Sequence, residues 1–123
     1  METKVNLAEK LALLDAPFQP GIVGTLNDYK LAVVKVHGEF VWHTHDDTDD
    51  FFLVLSGRLT IQLRDRDVEL EAGELFVVPR GVEHCPRADE PVELWAVSTL
   101  RDHGDATKLD DFWEASPDAA QAR

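Results

Sequence analysis

Residues 38–50 of this chain read GEFVWHTHDDTDD, with His43 and His45 two positions apart ahead of an acidic run. On a β-strand, residues two positions apart point to the same face, so these two imidazoles could share one metal ion. Asp50 opens the next β-rich run, and a tight turn between the two runs would return its carboxylate to the histidines. The stretch therefore predicts neighbouring strands with a candidate metal site at their junction.

A further imidazole is needed to complete such a site, and His84 is the candidate. It follows the turn Pro79-Arg80-Gly81, which re-aims the chain at a strand end. Three imidazoles and one carboxylate suit divalent iron, manganese, nickel, zinc or copper and leave coordination positions open for water or substrate.

A structural interpretation of the same residues stays open at this point. A lone His-x-His is weak evidence for a metal, because isolated histidines are usually surface residues or hydrogen-bonded core residues. The acidic residues 46–50 could form a solvated loop, and they lack the central glycine and terminal glutamate of an EF-hand.

The segments around this stretch are rich in β-forming residues. Short β-rich runs lie at residues 33–36, 51–55, 59–63, 75–78 and 92–97, with turn signals between them. No helical pattern intervenes, which predicts antiparallel pairing and an all-β sandwich or barrel.

The two ends of the chain have a different pattern. A short amphipathic helix is predicted over residues 6–14, where Asn6 caps the first turn. A second short helical segment is predicted near residues 108–115. We therefore divide the chain into an N-terminal helix and connector (1–21), a β domain (22–100), and a C-terminal helical segment with a frayed tail (101–123).

Length and charge limit the classes of partner. The chain has 123 residues, 44% of them hydrophobic, with 24 acidic and 12 basic side chains and a net charge of −12. This predicts one globular domain and argues against nucleic acid and anionic membrane surfaces, which both require clustered Lys and Arg. The longest apolar runs are about five residues, far short of a membrane span, and no signal core follows Met1. The single cysteine, Cys85, cannot form an internal disulfide, so we expect a reducing cytoplasm.

Two spaced motifs in this chain resemble the two motifs of the cupin superfamily. The first family motif is Gly, five residues, His-x-His, three or four residues, Glu, six residues, Gly. This chain matches it with Gly38, His43, His45, Asp50 and Gly57, with the first gap one residue short and Asp in place of Glu. The second family motif is Gly, five residues, Pro-x-Gly, two residues, His, three residues, Asn. This chain matches it with Gly73, Pro79, Gly81 and His84, and carries Ala88 in place of the asparagine.

The resemblance covers about residues 30–100 and carries expectations for fold and site. It implies a double-stranded antiparallel β-barrel of the jelly-roll kind, as in small single-domain bacterial cupins, in which a homodimer is common. It implies one divalent transition metal held by His43, His45, Asp50 and His84. Asp50 is one methylene shorter than the family glutamate. It could bind the metal directly or through a water molecule, or it could leave the metal site with three histidine ligands only. Asp49 is the alternative carboxylate.

Two classes of function follow from this resemblance. The first is a metal-dependent enzyme for a small molecule, of the dioxygenase, sugar or sugar-acid isomerase, or lyase type. No general base is identified, and Glu83 is only a weak candidate. The alternative is a non-catalytic ligand-binding or sensor cupin, which an absent metal or a sealed site would favour.

Strand alternation gives further expectations for the site. With His43 and His45 pointing inward, Val41 is predicted to point inward, and Phe40, Trp42 and Thr44 outward. With Asp50 pointing inward, the same alternation places the side chains of Phe52 and Val54 in the interior. Lys35 could reach a substrate anion, although a surface position is favoured. Arg58, Arg80 and Arg87 are other candidate anion contacts, and Cys85 is predicted to be a buried, inert thiol.

Overall fold

The structure is a computed structural model that describes residues 4–99. The predicted C-terminal helical segment therefore lies outside the described residues. The described part contains one helix and seven strands: α1 (Leu7–Leu11), β1 (Gly21–Leu26), β2 (Tyr29–Glu39), β3 (Asp50–Ser56), β4 (Arg58–Leu63), β5 (Asp67–Glu71), β6 (Leu75–Val78) and β7 (His84–Thr99). The described helix is too short and too polar to cross a membrane.

Helix α1 forms where the leucine spacing predicted it, and it is shorter than predicted. The Asn6 side chain accepts a hydrogen bond from the Glu9 N–H at 3.0 Å, as the capping pattern requires. The helix ends at Leu11, yet Leu14 beyond it is also buried. Leu11 and Leu14 pack on Val33 of β2 and cover the outer face of the sheet.

All strand pairings in the described part are antiparallel, as the short intervening turns predicted. The strands follow the order β1-β2-β7-β3-β6, while β4 also pairs with β7, and β5 with β4. The predicted closed barrel is wrong, because β1, β5 and β6 each pair with only one strand. The physical reason is that β7 changes its neighbour along its length. Residues 84–87 pair with β4 and residues 93–97 pair with β3.

The sheet therefore has two arms that share β7. One arm contains β3 and β6, and the other contains β4 and β5. The core lies between the two arms. The core contains residues from both arms, among them Val54 of β3, Ile61 of β4 and Leu94 of β7. Each of these three side chains is 1% exposed or less. Burial of such side chains provides the main stabilisation of the domain.

Gly57 lies at the corner where the chain passes from one arm to the other. It joins β3 to β4 with a φ of +93°, a conformation that side chains with a Cβ rarely adopt. A Cβ at this position would lie 2.8 Å from the Pro91 carbonyl oxygen. Glycine is thus required here both for its backbone conformation and for the close approach of β7.

Candidate metal centre

Two loops place the predicted site residues at one end of the sheet. His43 and His84 form an isolated antiparallel bridge in which each backbone N–H donates to the other's carbonyl at 3.0 Å. The Gly81 N–H donates to the His45 carbonyl at 2.8 Å. Asp50 begins β3 at the same end. Backbone hydrogen bonds therefore tie the first motif to the second.

The structure brings His43, His45, Asp50 and His84 together. One ligand atom from each lies within 4.8 Å of the others. Asp50 Oδ2 lies 3.3 Å from Nε2 of His45 and 3.4 Å from Nε2 of His84. His45, Asp50 and His84 are buried and His43 is partly buried. This group of four, which sequence spacing predicted, could hold one metal ion.

Backbone carbonyls orient two of the imidazoles toward the centre of the group. Nδ1 of His43 lies 2.8 Å from the Val41 carbonyl oxygen, and Nδ1 of His84 lies 2.9 Å from that of Val82. Because a carbonyl oxygen only accepts, each neutral ring carries its proton on Nδ1 and keeps a lone pair on Nε2. Metal-binding histidines have the same arrangement.

The orientation of these donor atoms fits a cation. In the neutral tautomer of His84, the Nε2 lone pair faces a carboxylate oxygen of Asp50 at 3.4 Å. Two such acceptors repel unless a proton or a cation lies between them. Nitrogen donors with one carboxylate are a ligand set that zinc, iron, nickel, manganese and copper accept. The residues present therefore fit a divalent transition metal.

Burial and neighbouring rings shift the pKa values of two of these groups. Burial, together with the nearby His84, lowers the pKa of His43 to about 4. Burial raises the pKa of Asp50, but hydrogen bonds and charge attraction from the protonated forms of His45 and His84 outweigh burial and lower that pKa to about 2. At neutral pH both groups are therefore already in the deprotonated form that a metal requires.

Other acidic residues of the first motif lie outside the group. Asp49, the alternative carboxylate, is exposed, and its Oδ1 accepts a hydrogen bond from the Arg80 backbone N–H at 2.9 Å. Asp46 and Asp47 are exposed as well. Ala88, which occupies the family's asparagine position, is a buried core residue.

The alternation predicted around His43 is wrong for two residues. Val41 is 42% exposed rather than inward, while Phe40, predicted to point outward, lines the cavity beside the metal group. The reason is that β2 ends at Glu39, after a β-bulge between Val36 and Gly38, so strand alternation does not extend through residues 40–45. Alternation holds within β3, where Phe52 and Val54 are buried in the core as predicted.

A cavity of about 70 Å³ opens beside the candidate ligands. His43, His45 and Asp50 form part of its wall. Phe18 and Phe40 form another part and stack with ring centroids 4.7 Å apart. Phe18 was not singled out from the sequence, because it comes from the connection before β1 and carries no motif.

Polar residues that the sequence left open lie outside this cavity. Lys35 donates from Nζ to the Leu14 carbonyl at 2.9 Å, on the helix side of the sheet. Glu83 is exposed and paired with Arg64 at 2.8 Å, a hydrogen bond that lowers the pKa of Glu83. Cys85 is buried, as predicted, and burial raises the pKa of its thiol. Lys30, which the sequence did not indicate, is 6% exposed on β2 opposite Ser98.

Arg64 contacts both segments that carry candidate ligands. Its guanidinium lies 3.7 Å from the ring centroid of Trp42, the residue before His43. The same guanidinium donates two hydrogen bonds, at 2.8 and 3.1 Å, to Glu83, the residue before His84. Arg64 thus links the two motifs on the outside of the group.

Comparison with known proteins places the chain among relatives of the same fold. Residues 30–98 match the cupin domain family. A cupin-2 domain containing protein from Shewanella frigidimarina is 42% identical, with a TM-score of 0.75 over 77% of this chain and 93% of that one. An uncharacterised Bacillus subtilis protein is 33% identical over 67 residues, which are 54% of this chain and 59% of that protein. The match thus spans less than two thirds of that curated relative.

A more distant likeness concerns the fold alone. The hydroquinone 1,2-dioxygenase of a Sphingomonas species, solved with 4-hydroxybenzoate bound, is 17% identical to this chain. Its TM-score is 0.64 over 73% of this chain and 70% of that one.

Proposed function

The chain belongs to the cupin family, and from that premise we propose that it is a metal-dependent enzyme acting on a small molecule. In this proposal His43, His45, Asp50 and His84 hold one divalent transition metal. The bound metal supplies Lewis acidity toward substrate oxygens and, as iron, redox chemistry as well. The reaction is of the dioxygenase, isomerase or lyase type.

One observation carries this proposal. Donor atoms from four residues converge within 4.8 Å, and three of these residues also line an open cavity. Coordination positions left free by the protein would therefore face a space that a small molecule can enter. A purely structural metal site is closed by its protein ligands.

The protein residues have defined roles in this scheme. The carbonyls of Val41 and Val82 hold His43 and His84 with Nε2 toward the metal position. Asp50 contributes a negative charge that partly neutralises a divalent ion. The stacked rings of Phe18 and Phe40 exclude water from one side of the cavity.

A non-catalytic ligand-binding protein is the second candidate, and one observation favours it. Among the described residues, the cavity wall has no titratable side chain besides the candidate ligands. Glu83, the weak candidate for a general base, is exposed and bound to Arg64. Beyond the candidate ligands, the described cavity wall therefore supplies no separate proton acceptor.

We also propose that the protein works as a homodimer in a reducing cytoplasm, without nucleic-acid or membrane partners. The family resemblance supports the dimer, and the net charge of −12 supports the absence of phosphate-rich partners. Sedimentation analysis at micromolar concentration measures the dimer directly, and a monomer across that range would contradict it.

The test of the proposed function begins with elemental analysis of natively purified protein. We expect about one transition metal per chain, and loss of that metal in His43→Ala and in His84→Ala with the circular dichroism spectrum retained. His37→Ala is the matched control, because His37 is exposed and outside the group. Metal retained in both variants would refute the site.

A screen of the metal-loaded protein then separates the two candidate functions. Turnover of a dioxygen-dependent, keto-acid or sugar substrate that disappears in His84→Ala supports the enzyme. Saturable ligand binding to the loaded protein, with no turnover of the bound ligand, supports the sensor.

A further inference from the structure

The cavity beside the metal group has an apolar wall. Apart from the candidate ligands, Ser98 is the one polar residue among the described residues that line it. The remaining described lining is aliphatic, aromatic or proline, for example Val34, Phe52 and Leu94. The cavity therefore offers a bound molecule few hydrogen bonds beyond those at the metal group.

None of the basic residues that the sequence offers as candidate anion contacts lines this cavity. Arg58 is bonded to Glu71 at 3.1 Å, Arg80 lies 4.0 Å from Asp49, and Lys35 is bonded to the Leu14 carbonyl. None of the described residues that line the cavity is Lys or Arg. A carboxylate or phosphate remote from the metal would be desolvated in this wall without a counter-charge, which is strongly unfavourable.

A polyhydroxylated ligand meets a similar penalty. Burying a hydroxyl without a hydrogen-bond partner is unfavourable, and the described wall offers Ser98 alone as a partner away from the candidate ligands. Sugars and sugar acids, two of the substrate classes of the family, therefore fit this cavity poorly.

We propose that the ligand is a small uncharged molecule whose oxygen donors face the metal group and whose apolar body fills this cavity, with Phe18 and Phe40 limiting its size. This rests on the proposed function and specifies the substrate class of the same site. The volume agrees with it, because the cavity of about 70 Å³ is smaller than the roughly 150 Å³ cavity that admits benzene. A short aliphatic body fits, whereas a six-membered ring requires the aromatic pair to move or to be shortened.

The backbone at Phe18 supports a functional role for its ring. Phe18 has a φ of +63°, in the left-handed region that bulky residues avoid. Its N–H donates to the Lys35 carbonyl at 2.8 Å, and its ring stacks on Phe40, which in turn lies edge-on to His43 at 5.5 Å between centroids. Strained conformations held by their surroundings concentrate at functional sites. Here the strain is associated with a ring at the cavity wall.

Hydroxamic acids test this proposal, because they share one chelating group and differ only in the body. The probes are acetohydroxamic, butyrohydroxamic, benzohydroxamic and succinic monohydroxamic acids, titrated calorimetrically into the metal-loaded protein. Butyrohydroxamic acid and succinic monohydroxamic acid have the same chain length and differ in a terminal methyl or carboxylate. We expect the carboxylate to weaken binding by at least about tenfold, since more than about 1.4 kcal/mol is lost on desolvating it. Equal or tighter binding of the carboxylate would overturn the proposal.

The size limit is tested with Phe18 variants. Wild-type protein should bind benzohydroxamic acid more weakly than acetohydroxamic acid. Phe18→Ala should reverse that order without changing the metal content. Phe18→Gly is a second variant that also relieves the left-handed backbone, so a failure of Phe18→Ala to fold does not end the test. Phe76→Ala is the matched control, because Phe76 packs on the core away from the cavity lining.

The outcomes separate this inference from the proposed function. Protein that holds about one metal per chain but binds all four hydroxamic acids alike, with no effect of either Phe18 variant, refutes the inference and leaves the metal site standing. Protein that takes up no metal refutes both.

Discussion

Replacing Gly57 by alanine should destabilise the domain far more than the same change at Gly73. Both glycines have a left-handed φ, +93° and +87°. A left-handed backbone costs a residue with a Cβ about 1–2 kcal/mol. At Gly57 the new Cβ would also lie 2.8 Å from the Pro91 carbonyl oxygen and 3.0 Å from a methyl of Val92, while at Gly73 nothing lies within 4 Å.

The close approach adds a second cost at Gly57 only. Overpacking in a well-packed region costs about 1–3 kcal/mol, so the total for Gly57→Ala is about 2–5 kcal/mol. Against a free energy of unfolding of about 5–15 kcal/mol for a typical domain, this is a large fraction. With about 4–8 °C of Tm per kcal/mol in a domain of this size, Tm should fall by roughly 10 °C or more.

Urea denaturation of metal-free protein, followed by circular dichroism, measures both variants. Gly73→Ala isolates the backbone cost, and the difference between the two variants isolates the contact with β7. Equal destabilisation of the two variants, or a Gly57→Ala loss below about 1 kcal/mol, would refute the reasoning that Gly57 is required by the close approach of β7.

Three further predictions concern the metal group. In metal-free protein, folding lowers the pKa of His43 from 6.5 to about 4. Between these two pH values the unfolded chain takes up a proton at His43 and the folded chain does not. The free energy of unfolding should therefore fall as the pH is lowered from 6.5 to 4. A pH titration by urea denaturation should show a flatter slope in His43→Gln, and an unchanged slope would contradict the assignment. Asp50→Asn should weaken metal binding by about tenfold or more in a chelator competition, through loss of the ligand charge, while Asp49→Asn, the exposed control, should not. Arg64→Met should have little effect on the free energy of unfolding, as for exposed ion pairs, yet speed metal release in a stopped-flow chelator assay; an unchanged release rate would show that Arg64 does not steady the two ligand segments.

Sequence reasoning succeeded where a local pattern determined the outcome. Five of the seven described strands (β2, β3, β4, β6 and β7) and the helix cap of Asn6 follow from side-chain alternation and capping chemistry, which act over a few residues, whereas β1 and β5 were not among the predicted runs. Spacing also brought His43, His45, Asp50 and His84 into one group, because two motifs at strand ends meet when those strands share a sheet end.

The missed features depend on geometry that no short pattern contains. The barrel was expected to close, but β7 takes β4 as a neighbour over one half and β3 over the other, and such a change of neighbour is a tertiary property. Strand alternation predicts the wrong side of the chain for Phe40, because β2 ends at Glu39 and the alternation does not continue beyond it. Phe18 reaches the cavity through a left-handed backbone in an irregular connection, which neither alternation nor helical spacing describes.

The position of β7 in the sheet also has a consequence for biosynthesis. It pairs with β2, β3 and β4, yet it is the last described strand to leave the ribosome. Before it emerges, only the pairs β1–β2, β4–β5 and β3–β6 can form, and isolated two-stranded units are marginal in water. Folding of the nascent domain should therefore wait for residues 84–99. Because His84 is the first residue of β7, the metal group would assemble in that same late step, so metal capture during synthesis would report completion of the sheet.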